Sequence, residues 1–145
     1  MPDNSEVINV LKDIIKERGL KYSKQREVIF TTILNSKEHL NADELNAIIS
    51  KKYPDLKIGI ATIYRALSFL EEVKLISSIE LNSDGKKFET NSKDHHDHII
   101  CVKCNKIIEF VSEQIEQAQE SVAKKNGFEL LDHTMYLYGI CKECQ

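Results

Sequence analysis

The chain has 145 residues, of which 41% are hydrophobic and 30% charged, with a formal net charge of −3. At roughly 100–200 residues per domain this is one domain or two small ones, and the composition excludes an extended disordered, collagenous or linker role. The longest apolar runs, such as Ile99-Ile100-Cys101-Val102, fall far short of the ~20 residues a transmembrane helix needs, so no membrane partner is expected. Pro2, Asp3, Asn4, Ser5 and Glu6 give neither the basic start nor the apolar run of a signal peptide, and the expected location is the cytoplasm.

Val7, Val10, Leu11, Ile14 and Ile15 recur at 3.6-residue spacing and predict an amphipathic helix over 5–18, ended by Gly19. Ser23 is placed to cap a second helix, with Val28, Ile29, Ile33 and Leu34 as its apolar side. Asn41, with Glu44 three residues on, reads as a capping box opening a third helix that turns Leu45, Ile48 and Ile49 inward, and Pro54 closes that region. Gly59 to Val73 is the fourth helix. Ile76 to Leu81 reads as a strand, Asn82-Ser83-Asp84-Gly85 as a turn, and Lys87-Phe88-Glu89 as the start of a return strand. Short helices followed by a small hairpin predict a winged helix-turn-helix.

The fourth helix sorts by face. At 100° per residue from Ile63, the residues Ile60, Ala66, Leu67 and Leu70 lie within about 60° and predict the core stripe, whereas Arg65 lies about 160° away. Ala61 and Ser68 share that far side and Tyr64 flanks it. A recognition helix buries one stripe and offers its outward N-terminal residues to the major groove. Charge adds a modest signal. Residues 1–82 carry 12 Lys/Arg and 12 Asp/Glu, but Lys12, Lys16, Arg18, Lys21, Lys24 and Arg26 face only Asp13 and Glu17 over residues 12–26. Such a patch can meet phosphates or can simply be a solvated helix face.

Thr90 to Asp94 is short, polar and a candidate hinge. Beyond it, 98–102 and 106–111 read as strands around Lys103-Cys104-Asn105. Ser112 is expected to cap a helix to about Asn126, with Ile115, Ala118 and Val122 on one side, and Gly127 stops it. Residues 128–140 alternate loosely and read as strand.

Cys101, Cys104, Cys141 and Cys144 form two CxxC pairs. Two residues between thiolates let one knuckle aim both sulfurs at one ion, and two knuckles complete the tetrahedron that Zn²⁺ accepts. With all four ligands from protein, such a site is structural; the competing reading is a pair of redox dithiols. His95, His96, Asp97 and His98 immediately precede the first pair. In an extended chain His95 and Asp97 share one face, and His96 and His98 the other. The run therefore splits into two half-sites, to be completed from His39, His133, Glu89, Glu109 and Glu116. Mixed imidazole and carboxylate sets suit divalent Fe, Mn, Co or Zn.

Four blocks together resemble the ferric uptake regulator (Fur) family of metal-sensing repressors: Gly19-Leu20-Lys21-Tyr22-Ser23-Lys24-Gln25-Arg26, Gly59-Ile60-Ala61-Thr62-Ile63-Tyr64-Arg65, His95-His96-Asp97-His98-Ile99-Ile100-Cys101 and Leu137-Tyr138-Gly139-Ile140-Cys141. The resemblance implies an α+β chain: an N-terminal winged helix-turn-helix domain that binds DNA (1–83), a hinge and wing end (84–94), and a C-terminal α/β dimerisation domain that binds metal (95–145). It implies that His39, Glu89, His96, His98 and Glu109 form the regulatory site, that His95, Asp97, Glu116 and His133 form a second site, and that the four cysteines hold structural Zn²⁺. Tyr64 and Arg65 match recognition-helix contacts and Lys21 a residue that reaches the minor groove.

What the resemblance implies of function is an Fe²⁺-dependent repressor of iron-uptake genes, with Mn²⁺ or Zn²⁺ as substitute metals. It would bind an A·T-rich palindromic double-stranded operator as a homodimer, with a tetramer as the larger alternative, and would take no small organic substrate. Relatives sense iron, zinc, manganese, nickel or peroxide; Glu rather than Asp at 89 and 109 favours iron over peroxide. The N-terminal extension with its additional helix resembles a minority of the family, some of which bind DNA without the regulatory metal. The alternative from another class is a metallohydrolase using His95, Asp97 and His133 with Glu116 as base; the sequence shows no substrate pocket for it, and no enzyme activity is expected.

Overall fold

A computed structural model describes residues 3–82 and 85–145. The chain divides into two compact units, Met1–Asp94 and His95–Gln145.

The first unit opens with helix α1 (Asn4–Glu17), which buries Val7, Leu11 and Ile15. Val10, expected on this face, is exposed. The buried stripe is the narrower i, i+4, i+8 row, because α1 leans on the unit along one line of contact. Gly19 at φ 66 then lets Gly19 N–H reach Lys16 O and Leu20 N–H reach Ile15 O, both at 3.0 Å. This is a Schellman ending, which needs the left-handed residue that glycine supplies.

Helix α2 (Lys24–Asn35) begins with Ser23 Oγ accepting from Arg26 N–H at 3.3 Å. It buries Phe30 beside Val28, Ile29 and Ile33, so Leu34, partly buried, sits at the edge of the core. Helix α3 (Ala42–Lys52) carries the expected capping box: Glu44 N–H donates to Asn41 Oδ1 and Asn41 N–H to Glu44 Oε2, each at 2.8 Å. Asn41→Ala is expected to cost about 1 kcal/mol by urea denaturation. Ala42, Leu45 and Ile49 point inward, whereas Ile48, expected to turn inward, is exposed; Ala42 in the first turn completes the buried row instead.

A short 3₁₀ turn, Pro54–Leu56, leads to α4 (Ile60–Glu72), with Gly59 at its N-cap. Ile63, Ala66, Leu67 and Leu70 are buried, and Ile60 is not. Ile58, just before the helix, fills the core there instead. The helix ends like α1, with Lys74 N–H to Glu71 O and Leu75 N–H to Leu70 O at 3.0 Å, but the left-handed residue is Lys74 at φ 61. Lys74→Gly relieves that conformation and is expected to add roughly 0.5–1 kcal/mol in the same denaturation assay.

Strands β1 (Ile76–Leu81) and β2 (Gly85–Thr90) form an antiparallel hairpin from Ile76 opposite Thr90 to Leu81 opposite Gly85. Ser83 and Asp84 of the expected turn lie outside the described residues. The apolar cluster of this unit runs from Val7 on α1 to Phe88 on β2.

The second unit is a three-stranded sheet in the order β4 (Ile107–Phe110), β3 (Asp97–Cys101), β5 (Tyr136–Gly139), with α5 (Glu113–Lys125) between β4 and β5 in the chain. The β3–β4 pair is antiparallel and β3–β5 parallel. Ser112 stands at the N-cap of α5, but its side chain makes no capping hydrogen bond. The strand expected over 128–140 is confined to its last third. Residues 128–135 run as coil, joined to β3 by His98 N–H to Met135 O at 3.3 Å. Alternation alone cannot make a strand where no neighbouring strand offers a ladder. Among the described residues, Ile100 and Cys101 are the only buried apolar side chains of this unit.

Candidate metal centres and nucleic-acid face

The cysteines converge first. Cys101 ends the central strand, and Asn105 N–H bonds back to Cys101 O at 2.9 Å with Asn105 at φ 61, closing the first knuckle. Cys144 N–H to Cys141 O at 3.0 Å closes the second. Cys141 N–H also donates to Cys101 Sγ at 3.3 Å. One ligand atom from each of the four residues lies within 4.8 Å of the others, and Cys104 and Cys141 are 3.7 Å apart, sulfur to sulfur. That is no disulfide; it is the edge, about 3.8 Å, of a tetrahedron with metal–sulfur bonds of about 2.3 Å. The backbone N–H groups of Cys141 and Cys104 hold the Cys101 thiol down at about 6. Desolvation, then the neighbouring Cys144, pushes Cys141 up to about 12. Four sulfurs this close cannot all be thiolates without a cation among them, and a divalent cation reverses the upward shift. Lys103 Nζ donates to Cys144 O at 3.3 Å and Lys106 pairs with Glu143 at 3.4 Å, tying the two knuckles together. No sequence motif marks these two lysines.

His95, just before β3, and Asp97, its first residue, meet Glu116 of α5 and His133 of the coil before β5 to form the second cluster. His95 Nε2 lies 3.3 Å from Glu116 Oε1 and 3.8 Å from Asp97 Oδ1. His133 Nε2 lies 3.4 Å from each of the same two oxygens. The Asp97 side chain is 1% exposed, and its two oxygens, Glu116 Oε1 and His133 Nε2 are all buried without a hydrogen bond. A buried carboxylate needs a compensating cation. Metal–ligand bonds of about 2.0–2.1 Å would give tetrahedral edges of about 3.3 Å, so the donor set fits a divalent ion.

The alternation of the His-Asp-His run sends His96 and His98 elsewhere. His98 stands opposite Glu109 across the β3–β4 ladder. His96 Nε2 lies 3.5 Å from Glu109 Oε1, and the His96 and His98 rings are 4.8 Å apart. Tyr136, opposite His98 on β5, brings its ring to 5.7 Å.

In the first unit His39 and Glu89 are brought together by a single bridge. Leu40 N–H donates to Phe88 O at 3.1 Å and Phe88 N–H to Leu40 O at 2.8 Å, fixing the neighbours of both residues side by side. His39 Nε2 then lies 3.1 Å from Glu89 Oε2, both side chains buried. Lys93 Nζ approaches the same oxygen at 3.8 Å.

The DNA-directed candidates are all in the first unit. Tyr64 and Arg65 project from the first half of α4 and are exposed, with Arg65 Nη2 donating to Thr62 Oγ1 at 3.1 Å. Lys21 is exposed in the turn between α1 and α2. The basic run around it is partly neutralised within the fold. Arg18 pairs with Glu72 at 3.2 Å, and Arg26 lies over the Phe69 ring at 4.4 Å.

The model of the ferric uptake regulator family matches residues 17–138. The chain is 48% identical over 133 residues to the ferric uptake regulation protein of Campylobacter jejuni, covering 92% of this chain and 85% of that protein. It is 41% identical over 139 residues to the protein of that name from Helicobacter pylori, covering 96% and 91%. The solved structure of Helicobacter pylori Fur, described as revealing three functional metal binding sites, superposes with a TM-score of 0.90 at 40% identity, covering 99% of this chain and 94% of that one. Fur from Francisella tularensis, solved with iron, gives 0.74 at 36% identity, covering 87% and 95%. The family is one of regulators rather than enzymes. The chain belongs to the ferric uptake regulator family and is a metal-responsive transcriptional regulator.

Proposed function

We propose that the chain is an Fe²⁺-dependent repressor of iron-uptake genes, acting in the cytoplasm as a homodimer on A·T-rich palindromic operators. The observation that carries this reading is the set of histidine–carboxylate pairs, His39 with Glu89 at 3.1 Å and His96 with Glu109 at 3.5 Å, which supply nitrogen and oxygen donors of the softness that Fe²⁺ accepts. In the proposal His39, Glu89, His96, His98 and Glu109 hold the regulatory ion, His95, Asp97, Glu116 and His133 a further divalent ion, and the four cysteines Zn²⁺. When bound, the regulatory ion would supply positive charge to these histidine and carboxylate donors. Relatives support this ion chemistry, since one Fur was solved with iron and a manganese uptake regulator is zinc-bound.

The residues of the chain do the rest. Ile63, Ala66, Leu67 and Leu70 anchor α4, leaving Tyr64 and Arg65 outward for the major groove, and Lys21 for the minor groove. Two copies present two such helices, which calls for a palindromic site. Exposed Val122, Phe128, Leu131 and Tyr138 in a unit with almost no core of its own suit coverage by a second copy.

Anaerobic fluorescence anisotropy with an A·T-rich palindromic duplex tests the reading at one fixed salt concentration. Fe²⁺ is expected to tighten binding at least tenfold, more than Mn²⁺ or Zn²⁺ does. Equal or weaker binding with Fe²⁺ rejects iron-activated repression, and a larger response to Zn²⁺ or Mn²⁺ reassigns the metal.

A further inference from the structure

The turn carrying Lys21 is fixed on every side. Upstream, the Schellman ending of α1 sets Gly19 and Leu20, and Arg18 reaches α4 through Glu72 at 3.2 Å and Phe69 at 5.9 Å. Downstream, Ser23 caps α2. Between them the Tyr22 hydroxyl donates to Glu27 Oε2. Lys12 of α1 pairs with that same oxygen at 3.8 Å and lies 5.8 Å from the Tyr22 ring. Lys24 pairs with Glu27 Oε1 at 3.3 Å. Glu27 is only 15% exposed, although both lysines are about half exposed or more. One sheltered carboxylate thus ties α1, the turn and α2 together. Tyr22 and Lys24 hold the Glu27 carboxyl below its ordinary range, and the same bond pushes the Tyr22 phenol up to about 12. Lys21, in the middle of the pinned segment, makes no ion pair among the described residues.

We propose that Glu27 is a positioning residue for DNA binding: through Tyr22, Lys12 and Lys24 it holds residues 18–24 so that Lys21 meets the duplex already in its bound backbone conformation. The proposal rests on the reading of Lys21 as a DNA contact. Preorganisation strengthens binding by removing ordering costs that association would otherwise carry. The additional helix α1 acquires a role by the same argument, because Lys12 is its contribution to the tie. The sign is diagnostic. Deleting a negative charge beside a polyanion-binding face ordinarily tightens binding; a positioning role requires the opposite.

The test is a double-mutant cycle on the full-length, metal-loaded dimer, using the same A·T-rich duplex and fixed salt. Glu27→Gln is expected to weaken binding about fivefold. Tyr22→Phe, which changes no charge, is expected to do the same, with zinc content and melting temperature showing that both variants are folded. In a Lys21→Ala background both losses should vanish, whereas in an Arg65→Ala background they should persist. Tighter or unchanged binding by Glu27→Gln overturns the proposal, as does a loss that survives Lys21→Ala. Unchanged binding by Lys21→Ala alone overturns the underlying reading of Lys21, and the proposal with it.

Discussion

Cys101→Ser is expected to release the zinc and unfold the second unit while the first stays folded. Cys101 ends the middle strand of the sheet, and its sulfur accepts from Cys141 N–H at 3.3 Å. Loss of this one ligand breaks the knuckle and the link from β3 to the C-terminal turn together. The unit has little else to hold it, since Ile100 and Cys101 are its buried apolar residues among those described. A structural zinc contributes about 10–16 kcal/mol in small peptides, as much as the whole stability of a typical domain. The first unit keeps its own apolar cluster from Val7 to Phe88. Metal analysis should find about one zinc fewer per chain, and limited proteolysis should degrade residues 95–145 and leave a core near 3–94. A variant that keeps its zinc and resists protease would reject the assignment. Acid should act in the same direction. Protons compete with Zn²⁺ for the four sulfurs, so falling pH is expected to release the metal and destabilise the second unit.

His96→Ala should abolish the Fe²⁺ response of DNA binding, leaving zinc content and the dimer unchanged. His96 shares Glu109 with the β3–β4 ladder and stacks edge-on to His98, yet contributes nothing to the cysteine cluster. Disturbing even an outer partner of a metal ligand typically costs 10–100-fold in affinity, so loss of His96, a ligand in the proposed site, is expected to cost at least that. Anisotropy with and without Fe²⁺ reads the response, and sedimentation reads the dimer. Coupling is reciprocal, so operator DNA should tighten Fe²⁺ binding in the parent and no longer do so in the variant. A variant that responds normally would move the sensing role to His95, Asp97, Glu116 and His133.

Several features were legible because their physics is local. The Asn41–Glu44 capping box, the Gly19 helix ending and the Ser23 cap each depend on residues within a few positions of one another. The CxxC spacing announced two knuckles for the same reason. Strand alternation separated His95 and Asp97 from His96 and His98, because successive side chains must face opposite ways.

Other features were not legible, because they depend on what packs where. Val10, Ile48 and Ile60 fit the helical period but lie outside the line of contact of their helices. Residues 128–135 alternate like a strand but lack a neighbouring ladder, and as coil they carry His133 to Asp97 and Glu116. The nearness of His39 and Glu89, 50 positions apart in the numbering, comes from one bridge between Leu40 and Phe88. Lys93 beside Glu89 and Glu27 beneath the Lys21 turn carry no motif at all. Ligand types, their faces and the helix ends follow from the amino-acid order alone, since they rest on bond geometry within a few residues. Which distant donors meet and which charges are already paired depends on the folded chain, since long-range contacts are set by packing of the whole unit.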